Sequence, residues 1–553
     1  MAGLTYNNAS DLGWVVQKFG GTSVGKFPDK IARDIVRASL SQNRVIVVCS
    51  ARSTGKKAEG TTSRVASGWG YFPQSDRGLS FRPPPHFNPR HASLSRCVTP
   101  PPVRVILLGV YGKLRGVGAA VCADEEQCEL VEQARGLMQD ICDDHVNAAQ
   151  TFLKDPALRD TLIQTVKDEC QELVEYIAAA KRFNLEINSR AKDRVVSFGE
   201  KLSCRFMAAL LQDEGVDAEY VDLCDSFHYD ASAQLDVNFY HTAAEAFARK
   251  IVACEGRIPV MTGFFGNVPG SLIDGDIGRG YTDLCAALCA VGIKAEELQV
   301  WKEVDGIFSA DPSKVPTARL LSSITPSEAA ELTFYGSEVI HHLTMDQVIR
   351  ARPPIPIRIK NVKNPRGSGT IVVPDPVQTA SHQLHRSSPK LNGDARKKPK
   401  RPTAVTIKDH ISVINVHSNK RSISHGFFAR VFSILDRHSI SVDLISTSEV
   451  HVSMAIHSGS TEIDAFERAT RELAECGEVS ILADMAILSL VGAEMKNMVG
   501  IAGRMFSTLG EHNVNLEMIS QGASEINISC VINARDSTRA MNILHTHLFT
   551  FLE

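Results

Sequence analysis

Lys18, Gly20, Gly21, Thr22 and Ser23 set a cation, a glycine pair and two hydroxyls side by side in the stretch KFGGTSVGKF (18–27), groups suited to holding a polyanion. Glycine lets backbone N–H groups approach phosphate with no Cβ in the way, and the hydroxyls add further donors. Gly20 to Lys26 also fills the first seven places of the P-loop pattern, but Phe27 stands where that pattern needs the Ser or Thr that holds Mg2+. A tight glycine turn with a surface lysine accounts for the same residues. In SFGEKLS (197–203), Glu200 follows a glycine at the expected start of an apolar helix, a place where the helix dipole alone favours a carboxylate. GRGYTD (278–283) opens the apolar helix LCAALCAVGI; Arg279 there can grip a carboxylate with both arms of its fork, and Asp283 can orient a lysine or a metal ion. VWKEVDGIFSADPSKVP ends in a D-G turn followed by Phe308, a side chain fit to stack on a base or to enter a core.

These groups need elements to position them. Trp14–Phe19 and Arg44–Cys49 read as apolar strands, and Pro28 fits a first helical position ahead of Ile31, Ile35 and Ala38. The first glycine cluster therefore falls at a strand-to-helix turn of a βαβ unit, where backbone N–H groups attract anions. Helices are expected over 125–152, where Leu130, Val131, Ala134, Leu137, Met138 and Ile141 recur at helical spacing, and over about 156–183. From Arg194 onward helices alternate with the short apolar runs AEYVDL, RIPVMTGFFG and ELQVWKEVDG, which predicts a mainly parallel α/β sheet with sites at strand ends. Further on, ISVDLISTSEVHVSMAI (440–456) is echoed by VNLEMISQGASEINISCVI (514–532), each after a helix-like stretch. A duplicated small module of this kind suits a ligand-sensing pair.

The chain of 553 residues is long enough for about three or four domains. A formal charge of −3 gives no basic field, so neither nucleic acid nor an anionic membrane is expected as a partner. No long apolar span occurs, and Met1 to Gly13 lacks the apolar core of a secretory leader, so a cytoplasmic protein is expected. The 13 cysteines include no C-x-x-C pair, which fits reduced core thiols. Residues 65–122 are Pro-rich and aperiodic; their abrupt change of composition reads as intron sequence carried into the chain. The polar, basic run 381–402 contains RKKPKR and reads as a solvated linker rather than a nuclear signal.

In this order, KFGGTSVG, VVCSARSTGKKAEGTTS, SFGEKLS, TGFFG, GRGYTDLCAAL, VWKEVDGIFSADP, YGSEVI and STSEV resemble the aspartate kinases of the amino-acid kinase superfamily, over roughly residues 14–63 and 123–553. The likeness is greatest to the monofunctional fungal type. It implies an amino-acid kinase fold, α/β with helices on both faces of a mainly parallel sheet, followed by two α+β ferredoxin-like ACT domains. The implied boundaries are 12–377 for the kinase domain, 378–401 for the linker, and 402–478 and 479–553 for the ACT domains. The P-loop match is then a coincidence.

The resemblance further implies transfer of the γ-phosphoryl of ATP, with Mg2+, to the β-carboxylate of L-aspartate. That acceptor is ionised near neutral pH, so charge neutralisation and alignment matter more than base catalysis. Carried over residue by residue, Lys18, Gly20 and Gly21 cradle the transferred phosphoryl with Ser50, Thr22 and Ser23 beside it, and Asp283 organises Lys18 and the nucleotide. Arg279 pairs with a substrate carboxylate, Glu200 accepts from the α-ammonium, and Phe264 and Thr282 line the aspartate pocket. Lys302, Glu303, Val304, Asp305, Phe308 and Asp311 form the nucleotide side. Gly426, Ser441, Val442, Asp443, Thr447, Ser448 and Glu449 form an effector pocket, with threonine the inhibitor expected of the fungal type. A homo-oligomer paired through the ACT domains is implied, and no residue is assigned to a protein-held metal.

Some residues depart from the family pattern. Ser313 replaces an arginine that meets nucleotide phosphate, Glu338 replaces a lysine of bacterial relatives, and HHLTM and RARPPIPIRIKN differ from the usual HPFTM and RA-x-IPIRIKN. They bear on efficiency more than identity and leave a catalytically weak ACT-type amino-acid sensor as the alternative. A superfamily kinase acting on glutamate or a nucleoside monophosphate is disfavoured by the paired repeat and by GRGYTD together with SFGE. From its length, a fused homoserine dehydrogenase is not expected.

Overall fold

The computed structural model describes residues 6–53, 124–182, 189–224, 226, 235–266, 280–334, 340–373, 401–418, 426–458, 463–522 and 526–550. Three sequence expectations lie outside the described residues: the Pro-rich segment 65–122, the linker over 378–400, and the side chains of Arg279 and Glu338.

The N-terminal half is built on an eight-stranded sheet. Its strands are β1 (Trp14–Phe19), β2 (Arg44–Cys49), β3 (Ala218–Val221), β4 (Ile258–Thr262), β5 (Glu297–Lys302), β6 (Ser323–Ile324), β7 (Ile357–Asn361) and β8 (Thr370–Val372), in the order β3-β4-β2-β1-β5-β7-β8-β6. All neighbours from β3 to β7 pair in parallel; only the β7–β8 contact is antiparallel. A parallel sheet is covered on both faces, so its strands must be apolar almost throughout. The β2 run RVIVVC meets that requirement and is fully buried after Arg44. Alternate residues of the central strands enter two different cores. Val16, Ile46 and Val48 pack with the helices Val237–Val252 and Tyr281–Ile293, whereas Phe19, Val45 and Val47 pack with the helices Asp124–Phe152, Pro156–Arg182 and Ser189–Asp213.

Two local readings change. The turn after Pro28 continues as a π-helix, Ile31–Arg37. The helix carrying SFGEKLS begins at Ser189, so Glu200 sits in its interior rather than in its first turn. The dipole explanation for that carboxylate therefore fails, since the effect dies within the first turn.

The C-terminal half is one six-stranded sheet, order β10-β11-β9-β12-β14-β13, from β9 (Ala404–Ser418), β10 (Leu444–Thr447), β11 (His451–His457), β12 (Gly477–Val491), β13 (Met518–Ser520) and β14 (Asn527–Asn533). β9 and β12 are long and lie antiparallel, each serving two modules. The C-terminal part of β9 pairs with β11, and the C-terminal part of β12 pairs with β14. The second module therefore takes an edge from Ala404 to Lys408, ahead of the first module in sequence, and position 478/479 falls inside a continuous strand. The internal repeat also shows in the helix entries. Phe427–Arg437 and Ile501–Glu511 each start at a left-handed glycine, Gly426 (φ 83°) and Gly500 (φ 82°), a backbone conformation that suits glycine.

Phe206, fully buried and edge-on to Phe152, ties the helix Ser189–Asp213 to its neighbour. Phe206→Ala should lower stability by about 3–5 kcal/mol, read as a shift of the denaturant midpoint; a change below 1 kcal/mol would show that this helix layer is not integral to the fold.

Candidate active site

The sequence-predicted cation and carboxylates converge at the C-terminal ends of the parallel strands. Lys18 is the penultimate residue of β1 and faces the first turn of the helix Tyr281–Ile293, where its Nζ lies 2.7 Å from Asp283 Oδ1. Both side chains are largely buried, at 11% and 16% exposure. Burial alone would raise the Asp283 carboxyl, but the Lys18 ammonium, helped by Lys302, outweighs it and holds the group below its ordinary value.

A second chain of contacts runs beside this pair. Ser50 Oγ donates to Thr282 Oγ1 (3.0 Å), which donates to Glu200 Oε1 (2.7 Å). Burial pushes Glu200 up to about 7, although the Thr282 hydrogen bond and Lys18 pull the other way. The site thus separates its two carboxyls, one held below and the other raised above its ordinary value by environment. Gly263, just past β4, lets these groups meet: a Cβ there would press on Thr282, the Cys49 carbonyl and Glu200. Phe264 is buried and leans on Tyr281, forming one wall of a neighbouring cavity of about 330 Å3 with Ser197, Lys201 and Asp222.

The glycine pair divides its work. Gly20 has extended backbone and nothing within 4 Å of the place a Cβ would occupy, so its near side is open to a ligand. At Gly21 a Cβ would collide with the Ala51 carbonyl. Thr22 is half-buried, while the buried Ser23 hydroxyl donates to Glu303 Oε1 at 2.7 Å and joins the turn to the end of β5.

The nucleotide-side candidates separate. Lys302, Val304, Phe308 and Asp311 line one cavity of about 830 Å3, whose far wall is Val405 to His410 of β9. Glu303 is bound to Ser23, and Asp305 accepts from Asn361 Nδ2 (3.0 Å), so Asp305 holds the turn. Of the regulatory candidates, Gly426, Thr447, Ser448 and Glu449 are exposed at the end of the first ACT-like module where β9 finishes, Ser441 is exposed at the opposite end, ahead of β10, and Val442 is half-buried against the core. Asp443 is buried and paired with Lys408 at 2.8 Å. Sequence reasoning gave no role to Gly263, Lys408 or His341, although TGFFG and HHLTM had both drawn notice. His341 packs where a Cβ on Gly280 would lie and adds to the positive field at Asp283.

A model of the amino acid kinase family matches residues 13–361, and one of the ACT domain matches 488–548. Among curated proteins, the aspartate kinase FUB3 of Gibberella fujikuroi is 53% identical, with 98% of each chain covered. The aspartokinases of Schizosaccharomyces pombe and Saccharomyces cerevisiae are 48% and 46% identical, over 98% of this chain and 94% of theirs. The chain belongs to the aspartate kinase family. Among solved structures, Escherichia coli aspartokinase III in complex with aspartate and ADP is 25% identical with a TM-score of 0.60, covering 97% of this chain and 99% of that one. The same enzyme with lysine and aspartate has a TM-score of 0.66 at 24% identity, covers the same shares, and shares the fold. As a member of this family the chain is a kinase with an amino acid kinase domain followed by C-terminal ACT structure. Among the described residues no helix is long and apolar enough to cross a membrane.

The raised carboxyl of Glu200 carries a pH signature. The folded chain holds its proton more tightly than the unfolded chain, whose carboxyl titrates near 4.5, so stability should fall as pH rises from about 4.5 to about 7 and then level. Glu200→Gln should flatten this stretch of the Tm–pH profile; an unchanged slope would assign the proton elsewhere.

Proposed function

We propose that the chain transfers the γ-phosphoryl of ATP to the β-carboxylate of L-aspartate, giving 4-phospho-L-aspartate for the threonine, methionine and isoleucine route. The observation that carries this reading is the buried Lys18–Asp283 pair beside the open face of Gly20. Both substrates are anions, and Lys18 offers a fixed cation where the transferred phosphoryl passes between them. Asp283 holds that ammonium in position, so stabilisation of transition-state charge needs little reorganisation. Gly20 and Gly21 let the turn close on the phosphates, and Mg2+ arrives with ATP as part of the substrate, neutralising its β- and γ-oxygens.

Aspartate is held by its other ends. Glu200, ionised when it meets the substrate α-ammonium, accepts from it, and Thr282 and Ser50 hold the carboxylate of Glu200 in place. Arg279 takes a substrate carboxylate. On the nucleotide side, Lys302 and Asp311 face the phosphates and ribose, and Phe308 and Val304 the base.

Threonine is the proposed inhibitor, bound at the first ACT module among Gly426, Ser441 to Asp443 and Thr447 to Glu449. Support comes from Asp443, whose Oδ2 is buried without a hydrogen-bond partner among the described residues while Oδ1 holds Lys408. An amino-acid ammonium satisfies that oxygen. Ile445 and Ile519, exposed on the edge strands β10 and β13, support assembly of copies through this half.

ATP-dependent formation of aspartyl hydroxamate tests the activity, with threonine suppressing it. Glu200→Ala should raise the aspartate KM by roughly 30-fold, the equivalent of about 2 kcal/mol for a hydrogen bond to a charged group, with the ATP KM little changed. An unaltered aspartate KM would remove Glu200 from the substrate site.

A further inference from the structure

The segment from Ser309 to Arg319 carries Asp311, Ser313 and Lys314 into the wall of the 830 Å3 cavity, yet it is anchored to the regulatory half. Ala310 and Val315 are buried in one core with Leu488, Met541 and Leu544. Val405 N–H of β9 donates to the Ser309 carbonyl at 2.9 Å, Asn542 Nδ2 to the Lys314 carbonyl at 2.7 Å, and Arg319 to the Phe549 carbonyl at 2.7 Å. Lys314 itself is paired with Asp409 of β9.

His545, the last residue of the helix Ser537–His545, closes this anchor. It is fully buried, stacked on Phe549 with ring centroids 4.8 Å apart, and both of its nitrogens are used. Nε2 lies 2.8 Å from Ser309 Oγ and Nδ1 lies 3.1 Å from Thr317 Oγ1. Both partners are hydroxyls able to donate or accept, so a neutral ring meets them with one nitrogen donating and the other accepting. One neutral imidazole therefore ties together the two ends of the loop that presents Asp311 and Lys314. Burial, with Arg319 nearby, disfavours protonation of that ring.

We propose that His545 is a positioning residue for nucleotide binding: by clasping Ser309 to Thr317 it fixes the loop that faces the phosphates, making the last helix of the regulatory half part of the scaffold of the ATP site. The proposal rests on the nucleotide reading of the 830 Å3 cavity. A histidine that only filled core space would be replaced by any ring of similar size. A clasp needs one donor and one acceptor.

The test uses the full-length chain. His545→Phe keeps the stack on Phe549 and removes both hydrogen bonds. It should weaken MgADP binding, measured by calorimetry, and raise the ATP KM roughly tenfold, the scale of losing two neutral hydrogen bonds with their partners left buried, while the aspartate KM stays within about twofold. His545→Gln, which restores a donor and an acceptor, should recover most of the loss. Ser309→Ala combined with Thr317→Val removes the other ends of the clasp together with the Arg319 N–H contact to Ser309, so it should lose at least as much as His545→Phe; adding His545→Phe to that pair should cost nothing more. Unchanged MgADP affinity in His545→Phe, equal shifts in both KM values, or additive losses would overturn the proposal. The calorimetry needs no turnover, so a chain that binds MgADP without phosphorylating aspartate would refute the proposed reaction and leave the clasp to be judged by the variants. A wild-type chain that binds no MgADP would overturn the clasp as well.

Discussion

The ion pair between Lys18 and Asp283 is the constraint around which the kinase half is arranged. An ammonium withdrawn from water at the edge of a parallel sheet needs a partner, and removing that partner would leave a buried charge. The chain meets this need by bringing the first turn of the helix Tyr281–Ile293 against the end of β1. A second carboxyl is buried nearby, and burial drives it toward its neutral form, with the Asp283 charge adding a little. Glu200 is that second group, and its contact with Thr282, adjacent to Asp283, couples the two. The small residues around them follow from the crowding, since Gly263 and Gly280 leave no room for a Cβ.

The regulatory half is joined to this centre by backbone and core as well as by loops. Because β9 supplies an edge to the second module and its C-terminal part belongs to the first, neither module closes its sheet alone. Val405 to His410 then serves two structures, pairing in the regulatory sheet and walling the cavity that holds Lys302 and Phe308. Lys408 joins three parts: it is bound to Asp443 of the first module, lies over the ring of Phe334 in the kinase half, and faces the same cavity. Asp443 is thereby one side chain away from the cavity that holds Lys302 and Phe308.

Local rules made much of the chain legible. The strands Trp14–Phe19 and Arg44–Cys49 coincide with their apolar runs because burial on both faces leaves no other composition for a central parallel strand. Helices through 152 and 182 followed from apolar spacing, and the duplicated module from the echo between its two copies. Glycine before a carboxylate mimics a helix start at Glu200, although Asn188 and Ser189 are cap residues at the point where the helix begins.

The sequence by itself determined which elements form, which family the motifs point to, and which residue types stand ready for phosphate and carboxylate. These depend on periodicity, turn residues and motif order, all of which are local. Only the tertiary structure decided that Glu200 titrates near neutrality, that Asp443 is held by Lys408, and that Ser309 is held by a histidine 236 residues away. A pKa depends on burial and on the field of distant groups, and a hydrogen bond across such a separation exists only after the regulatory sheet has packed on the kinase loop.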